Sequence, residues 1–159
     1  MTGSTGEITP IPEGYGTVTP RLVVSDGNAA IEFYRRAFGA EEVGERFCGP
    51  DGKIIHAEVR IGDSMVLLTD DSADGAPARS PEVLGGVTAI MSLYWVNVDE
   101  AWARATEAGC EVIFPLADQF YGERGGRLRD PFGQQWMMSQ RIELLSPEEI
   151  RARVSGSGS

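Results

Sequence analysis

Histidine and cysteine are nearly missing from this chain, with one of the first and two of the second among 159 residues. A structural zinc site needs about four Cys or His ligands, so three such residues exclude one. Cys48 and Cys110 form no Cys-x-x-Cys pair. They read as two free thiols in a reducing, cytoplasmic setting, with a single disulfide as the alternative. Long apolar runs are also lacking. None approaches the roughly 18 residues that a bilayer span requires, which excludes a transmembrane helix. The first 14 residues are polar and rich in Gly, Thr and Pro, without the charged start and apolar stretch of a secretory signal. Basic residues are in deficit, 14 against 24 acidic ones, for a net charge of −10. That field repels a phosphate backbone and argues against nucleic acid as a partner, while leaving neutral or cationic small molecules open. What remains, 42% hydrophobic and 24% charged residues, describes one soluble domain or two small halves sharing a core.

Residues 1–13 read as a disordered tail and 155–159, Ser-Gly-Ser-Gly-Ser, as a flexible linker. Between them one order of elements occurs twice. Residues 17–24 read as a strand, and Asp26-Gly27-Asn28 as a turn and helix cap. Ala30, Ile31, Tyr34, Ala37 and Phe38 recur at helical spacing until Gly39 stops the helix. Strands are expected at 42–48, 53–61 and 64–69, turned by Pro50-Asp51-Gly52 and Gly62-Asp63. A polar joint follows at 70–86. The order then repeats with a strand at 89–98 and a helix capped by Asp99 that carries Ala101, Trp102, Ala105 and Ala108. Gly109 stands where Gly39 stood, about 70 residues later. Strands at 111–116, 124–129 and 134–141 complete the second copy. Asp130-Pro131-Phe132-Gly133 is a type I turn signal, and Ser146-Pro147-Glu148-Glu149 is a capping box for a short helix over 146–154.

The fold class is therefore α+β: two βαβββ modules, about 15–70 and 87–141, within one domain at 14–141. Neither half can bury much core alone. Paired, each helix covers one face of its own sheet, and the opposite faces curve around a shared cavity.

The segments "VTPRLVVSDGNAAIEFYRRAFGAEEV", "GKIIHAEVRIGDSMVLLTDD" and "DQFYGERGGRLRDPFGQQW" resemble the vicinal-oxygen-chelate superfamily, in its glyoxalase/bleomycin-resistance (PhnB-like) branch. The resemblance spans about residues 14–141. It implies the glyoxalase/bleomycin-resistance fold and a homodimer. In metal-dependent members, four inward His, Gln or Glu side chains bind one divalent ion. Matched by motif, those places hold Thr19, Leu67, Leu93 (or Ser92 if that strand slips by one) and Met137. None suits a hard or borderline divalent ion, so no metal and no cofactor is expected.

Strand alternation sorts the rest. In the phase of Thr19 the cavity face offers Arg21, His56, Glu58, Arg60, Met65, Leu67 and Thr69 from the first module. From the second it offers Met91, Leu93, Trp95, Gln135, Met137 and Ser139, with Ile55, Ala57, Val59 and Ile61 turned to the helices. Trp102 and Trp136 are expected in the core, and Tyr121 at the rim. An apolar and thioether wall with a polar arc suits a drug-sized ligand. Arg21 with Glu58, and Glu123 with Arg124 or Arg127, remain open as plain ion pairs.

Two functions follow. One is a metal-free protein, similar to the bleomycin-resistance proteins, that sequesters an aromatic or cationic metabolite or drug between the modules. The other is a metal-independent isomerase, lyase or cyclase with His56 as proton carrier, Glu58 beside it and Arg21 or Arg60 holding an anionic group. A divalent ion held by His56 and Glu58 is a third, weaker reading.

Overall fold

The computed structural model describes residues 6–156; residues 1–5 and 157–159 of the expected tails lie outside the described residues. The first module runs β1 (Arg21–Val24), α1 (Gly27–Phe38), β2 (Glu41–Cys48), β3 (Ile54–Ile61), β4 (Ser64–Asp70). A joint with one helical turn, α2 (Pro81–Leu84), leads to β5 (Met91–Tyr94), α3 (Val98–Ala108), β6 (Glu111–Asp118), β7 (Glu123–Arg129), β8 (Gln135–Arg141) and a terminal α4 (Pro147–Gly156). Two four-stranded sheets result, ordered β1-β4-β3-β2 and β5-β8-β7-β6. The α+β, two-module architecture is the one expected from the sequence.

Local chemistry sets the element ends. Asp26 accepts from the Ala29 N–H to start α1, and Gly39, at φ 67°, ends it in the left-handed region that glycine enters without strain. A side chain there would also meet the Arg104 guanidinium at 3.0 Å. α3 starts one residue before the expected cap. Asn97 accepts from the Glu100 N–H, and Asp99 lies inside the helix. β1 is shorter than expected because Pro20 has no N–H to donate, although its carbonyl still accepts from Leu67 N at 2.9 Å. Ser146 Oγ caps α4 through Glu149 N at 3.2 Å, and that helix continues through Ser155 and Gly156, where a linker was expected.

A single core joins the modules. Ala30, Ile31, Tyr34, Ala37 and Phe38 of α1 are buried with Val59, Leu68, Leu128, Trp136 and Met138. Polar ties cross it as well. Tyr34 Oη donates to Asp130 Oδ2 at 2.5 Å. Asp130 also accepts from Trp136 Nε1 (2.9 Å), Phe132 N (2.9 Å) and Gln134 N (3.0 Å). Burial raises the Asp130 carboxyl above the usual carboxylate range against the opposing pull of those donors. Burial, followed by the nearby Asp130 charge, holds the Tyr34 phenol well above its usual value. Arg104 of α3 donates to the carbonyls of Arg36 and Arg35 at the end of α1, and Gln134 Nε2 donates to Val23 O.

The modules are related position by position. Arg21 faces Leu67 across β1/β4 as Ser92 faces Met137 across β5/β8. Glu58 then faces Leu67 as Arg127 faces Met137. Each sheet keeps one face against the helices and leaves the other free.

Candidate ligand-binding faces of the two sheets

On the first sheet, Leu22, Val24, Ala57, Val59 and Leu68 are buried toward the helices, which turns Arg21, His56, Glu58 and Leu67 to the free face. The structure brings three of these together. Arg21 Nη1 lies 3.3 Å from His56 Nδ1, and His56 Nε2 lies 3.7 Å from Glu58 Oε1. Arginine can only donate, so Nδ1 accepts and the neutral ring carries its proton on Nε2, toward Glu58. Arg21 is further fixed by the Ile55 carbonyl at 2.7 Å and by Asp74 at 3.7 Å; it makes no ion pair with Glu58.

Tyr15 completes the row by donating its phenol proton to Glu58 Oε1. Sequence reasoning missed it, because it lies before β1 between Gly14 and Gly16, where no periodicity marks a role. Two expectations are corrected. Arg60 leaves the arc to pair with Glu41, its neighbour on β2, at 2.6 Å. Ile54 rather than Ile55 is fully buried, because an irregularity in the β2/β3 ladder between Phe47 and Cys48 shifts the alternation there.

The second sheet reverses part of the expected phase. Met91 and Leu93 lie opposite Trp136 and Met138, both fully buried. Met91, Leu93 and Trp95 therefore pack toward the helix-side core, and Ser92 and Tyr94 take the free face. Gln135, Met137 and Ser139 keep their expected orientation. Met137 joins Tyr121, Phe114, Gln119, Gly125 and Arg127 around a pocket of about 360 Å³. Burial, then the nearby Glu123 charge, raises the Tyr121 phenol. Met65 is placed elsewhere, in a cavity of about 450 Å³ at the seam, with Thr19, Ile90 and Ser92. Among the described residues, no hydrogen bond or ion pair joins the His56 row to the Tyr121 pocket.

The pattern of the Glyoxalase/Bleomycin resistance protein/Dioxygenase superfamily matches residues 15–138. The chain belongs to this superfamily. Within it, an uncharacterized protein of Mycobacterium tuberculosis, Rv0887c, is 41% identical over 143 residues, covering 89% of this chain and 84% of that protein. Escherichia coli YjdN is 25% identical over 129 residues, 69% of this chain and 84% of its own. Among solved structures, TioX from Micromonospora sp. ML1 superposes with a TM-score of 0.62 at 23% identity, over 80% of this chain and 99% of that one. A superfamily member from Sphaerobacter thermophilus gives 0.61 at 25% identity, over 77% and 94%.

The superfamily resemblance implies a divalent ion held between the modules, and the side chains present do not fit one. The helix caps Asp26 and Asn97 correspond, so the counterpart of Thr19 is Ile90; Leu93 belongs to the core side. The four places then carry a hydroxyl, two aliphatic chains and a thioether from Thr19, Leu67, Ile90 and Met137. No imidazole or carboxylate is among them. Among the described residues, no group of three or more His, Cys, Asp or Glu is arranged to hold a metal ion. His56 and Glu58 alone supply two donors, and Glu58 Oε1 already accepts from Tyr15.

Proposed function

We propose that this chain is a small-molecule-binding member of the superfamily, sequestering a planar aromatic metabolite or drug on the helix-free sheet faces without a divalent ion. The supporting observation is the pairing of donor-poor inner positions with an aromatic and thioether pocket at Phe114, Tyr121 and Met137. Where relatives would chelate, this chain offers packing surface. The proposal includes a homodimer. Tyr94, Val96 and Phe114 stand 67%, 96% and 57% exposed, and β1 and β5 are open sheet edges, features that a second copy would cover. The acidic charge disfavours nucleic acid, and no described helix is long and apolar enough to cross a membrane.

Native mass spectrometry of protein taken directly from its producing cells tests this reading. The expected result is a dimer with an organic adduct and no stoichiometric divalent metal. One divalent ion per chain overturns the metal-free account.

A second reading is favoured by the Arg21–His56–Glu58–Tyr15 row. Those groups set the tautomer of a histidine beside a carboxylate, an arrangement suited to moving a proton on a bound ligand. On this reading the chain is a metal-independent isomerase, lyase or cyclase. Turnover would then survive chelator and collapse in His56→Ala, whereas a pure binding protein shows no product in either form.

A further inference from the structure

Three arginines lie along β7, and two of them are neutralised. Arg124 is held by Asp99 and Asp118 at 2.9 and 3.1 Å, and Arg129 by Glu111 at 3.1 Å. Arg127, between them, has no ion-pair or hydrogen-bond partner among the described residues. Its Nε is buried and unpaired. Its guanidinium carbon sits 5.3 Å from the centroid of the Phe114 ring, an attraction that covers one face of the group and leaves its donor edge unmet. The carboxylates that share this side of the sheet are engaged elsewhere, Glu111 with Arg129 and Glu123 with the Tyr94 hydroxyl at 2.7 Å.

An unpartnered cation is out of place in a chain of net charge −10. A buried N–H without an acceptor costs free energy that a ligand can recover. The surroundings say what kind of ligand. Arg127 lines the same pocket of about 360 Å³ as Phe114, Tyr121, Gln119 and Met137. Gly125 keeps the pocket floor low; a Cβ there would meet Ser139 Oγ at 2.8 Å. The corresponding place on the first sheet holds Glu58 instead, so at this position the two sheets differ in sign and an anion is directed to the second.

We propose that Arg127 receives the carboxylate of a planar aromatic ligand, whose ring lies between Phe114, Tyr121 and Met137. The Nε–H and one Nη–H form the fork that meets a carboxylate with two parallel hydrogen bonds. This narrows the small-molecule reading and rests on it. It also gives the ligand the same sign of charge as the whole chain, which local pairing permits because it outweighs a screened long-range field.

The test is calorimetric titration of the full chain, in chelator, with 2-naphthoate and with 2-naphthamide, which keeps the ring and removes the charge. Wild type should bind the acid at least about tenfold tighter than the amide, the contribution expected of one charge-assisted pair. Arg127→Met should abolish that preference by bringing the acid affinity down to that of the amide in the same variant, and Arg127→Lys should keep part of it. Equal wild-type affinity for acid and amide overturns the carboxylate assignment but leaves the pocket reading standing. A preference surviving in Arg127→Met overturns the assignment to Arg127. Binding of neither probe overturns both.

Discussion

Replacing Asp130 by alanine removes the acceptor for four donors at once: Tyr34 Oη, Trp136 Nε1 and the backbone N–H groups of Phe132 and Gln134, at 2.5 to 3.0 Å. The residue is only 3% exposed, so bulk water cannot reach all four. Each buried donor left unmet costs about 1–3 kcal/mol. Water entering the vacated carboxylate space recovers part of that, leaving a loss of about 4 kcal/mol. Asp130→Asn keeps one oxygen but turns an amide donor toward the indole N–H, and should cost about 2 kcal/mol. With a urea slope of about 2 kcal/mol per molar for a domain of this size, the alanine variant should unfold at about 2 M lower urea. Asp99→Ala is the control. Asp99 accepts three contacts from Arg124, yet its side chain is 61% exposed, and its loss should leave the urea midpoint nearly unchanged. If Asp130→Ala shifts the midpoint by less than about 0.5 M, the Asp130 network does not tie the two modules together and the reasoning fails.

Other outcomes follow from single contacts. Burial, and then the nearby Asp130 charge, push the Cys110 thiol from 9.0 up to about 12. The unfolded chain therefore releases a proton that the folded chain keeps, and this contribution to stability is full below pH 9 and lost as pH rises toward 12. Each pH unit in that window should cost about 1.4 kcal/mol for the one proton, and urea midpoints of Cys110→Ala should fall less steeply between pH 9 and 10; identical slopes would refute the assignment. Gly126→Ala would place a Cβ 2.6 Å from Trp102 Cη2 and 2.8 Å from the Phe114 carbonyl oxygen. Overpacking of about 2–3 kcal/mol should lower Tm by about 5–10 °C, while Gly86→Ala, with nothing within 4 Å, should leave it nearly unchanged. Tyr15→Phe frees Glu58 Oε1 without disturbing the Arg21–His56 contact. It should therefore leave Tm within about 2 °C in a thermal melt; a larger fall would make the Tyr15–Glu58 contact part of what holds the fold.

The first module was legible almost throughout, because its helix and strands alternate cleanly between apolar and polar positions. Ala57 and Val59 against His56 and Glu58 fix a face without further information. The second module was not. Ile90, Met91, Leu93, Tyr94, Trp95 and Val96 form a nearly continuous apolar run, in which alternation carries no phase. The phase is settled only by the partner strand, where Met91 and Leu93 meet the buried Trp136 and Met138. Charge partners were hidden for the same reason. Glu123 was a possible partner for Arg124 or Arg127, but the sheet gives it to Tyr94, and Arg60 finds Glu41 only through the β2/β3 register. The residue types at Thr19, Leu67 and Met137 were read by matching motifs rather than from composition, because Glu or Gln could have stood there as well as His; the fourth place, Ile90 instead of Leu93, followed only from the helix caps.

Methionine methyl NMR tests the central claim most directly, because Met137 and Met138 are consecutive but point to opposite faces of β8. Met138 is fully buried, whereas Met137 lines the free-face pocket at one of the four chelating places. With [methyl-13C]methionine-labelled protein and one equivalent of Mn2+, the account predicts that the Met137, Met138 and Met65 lines stay as sharp as in metal-free protein. Broadening of these lines at one equivalent would place a divalent ion between the modules and contradict it.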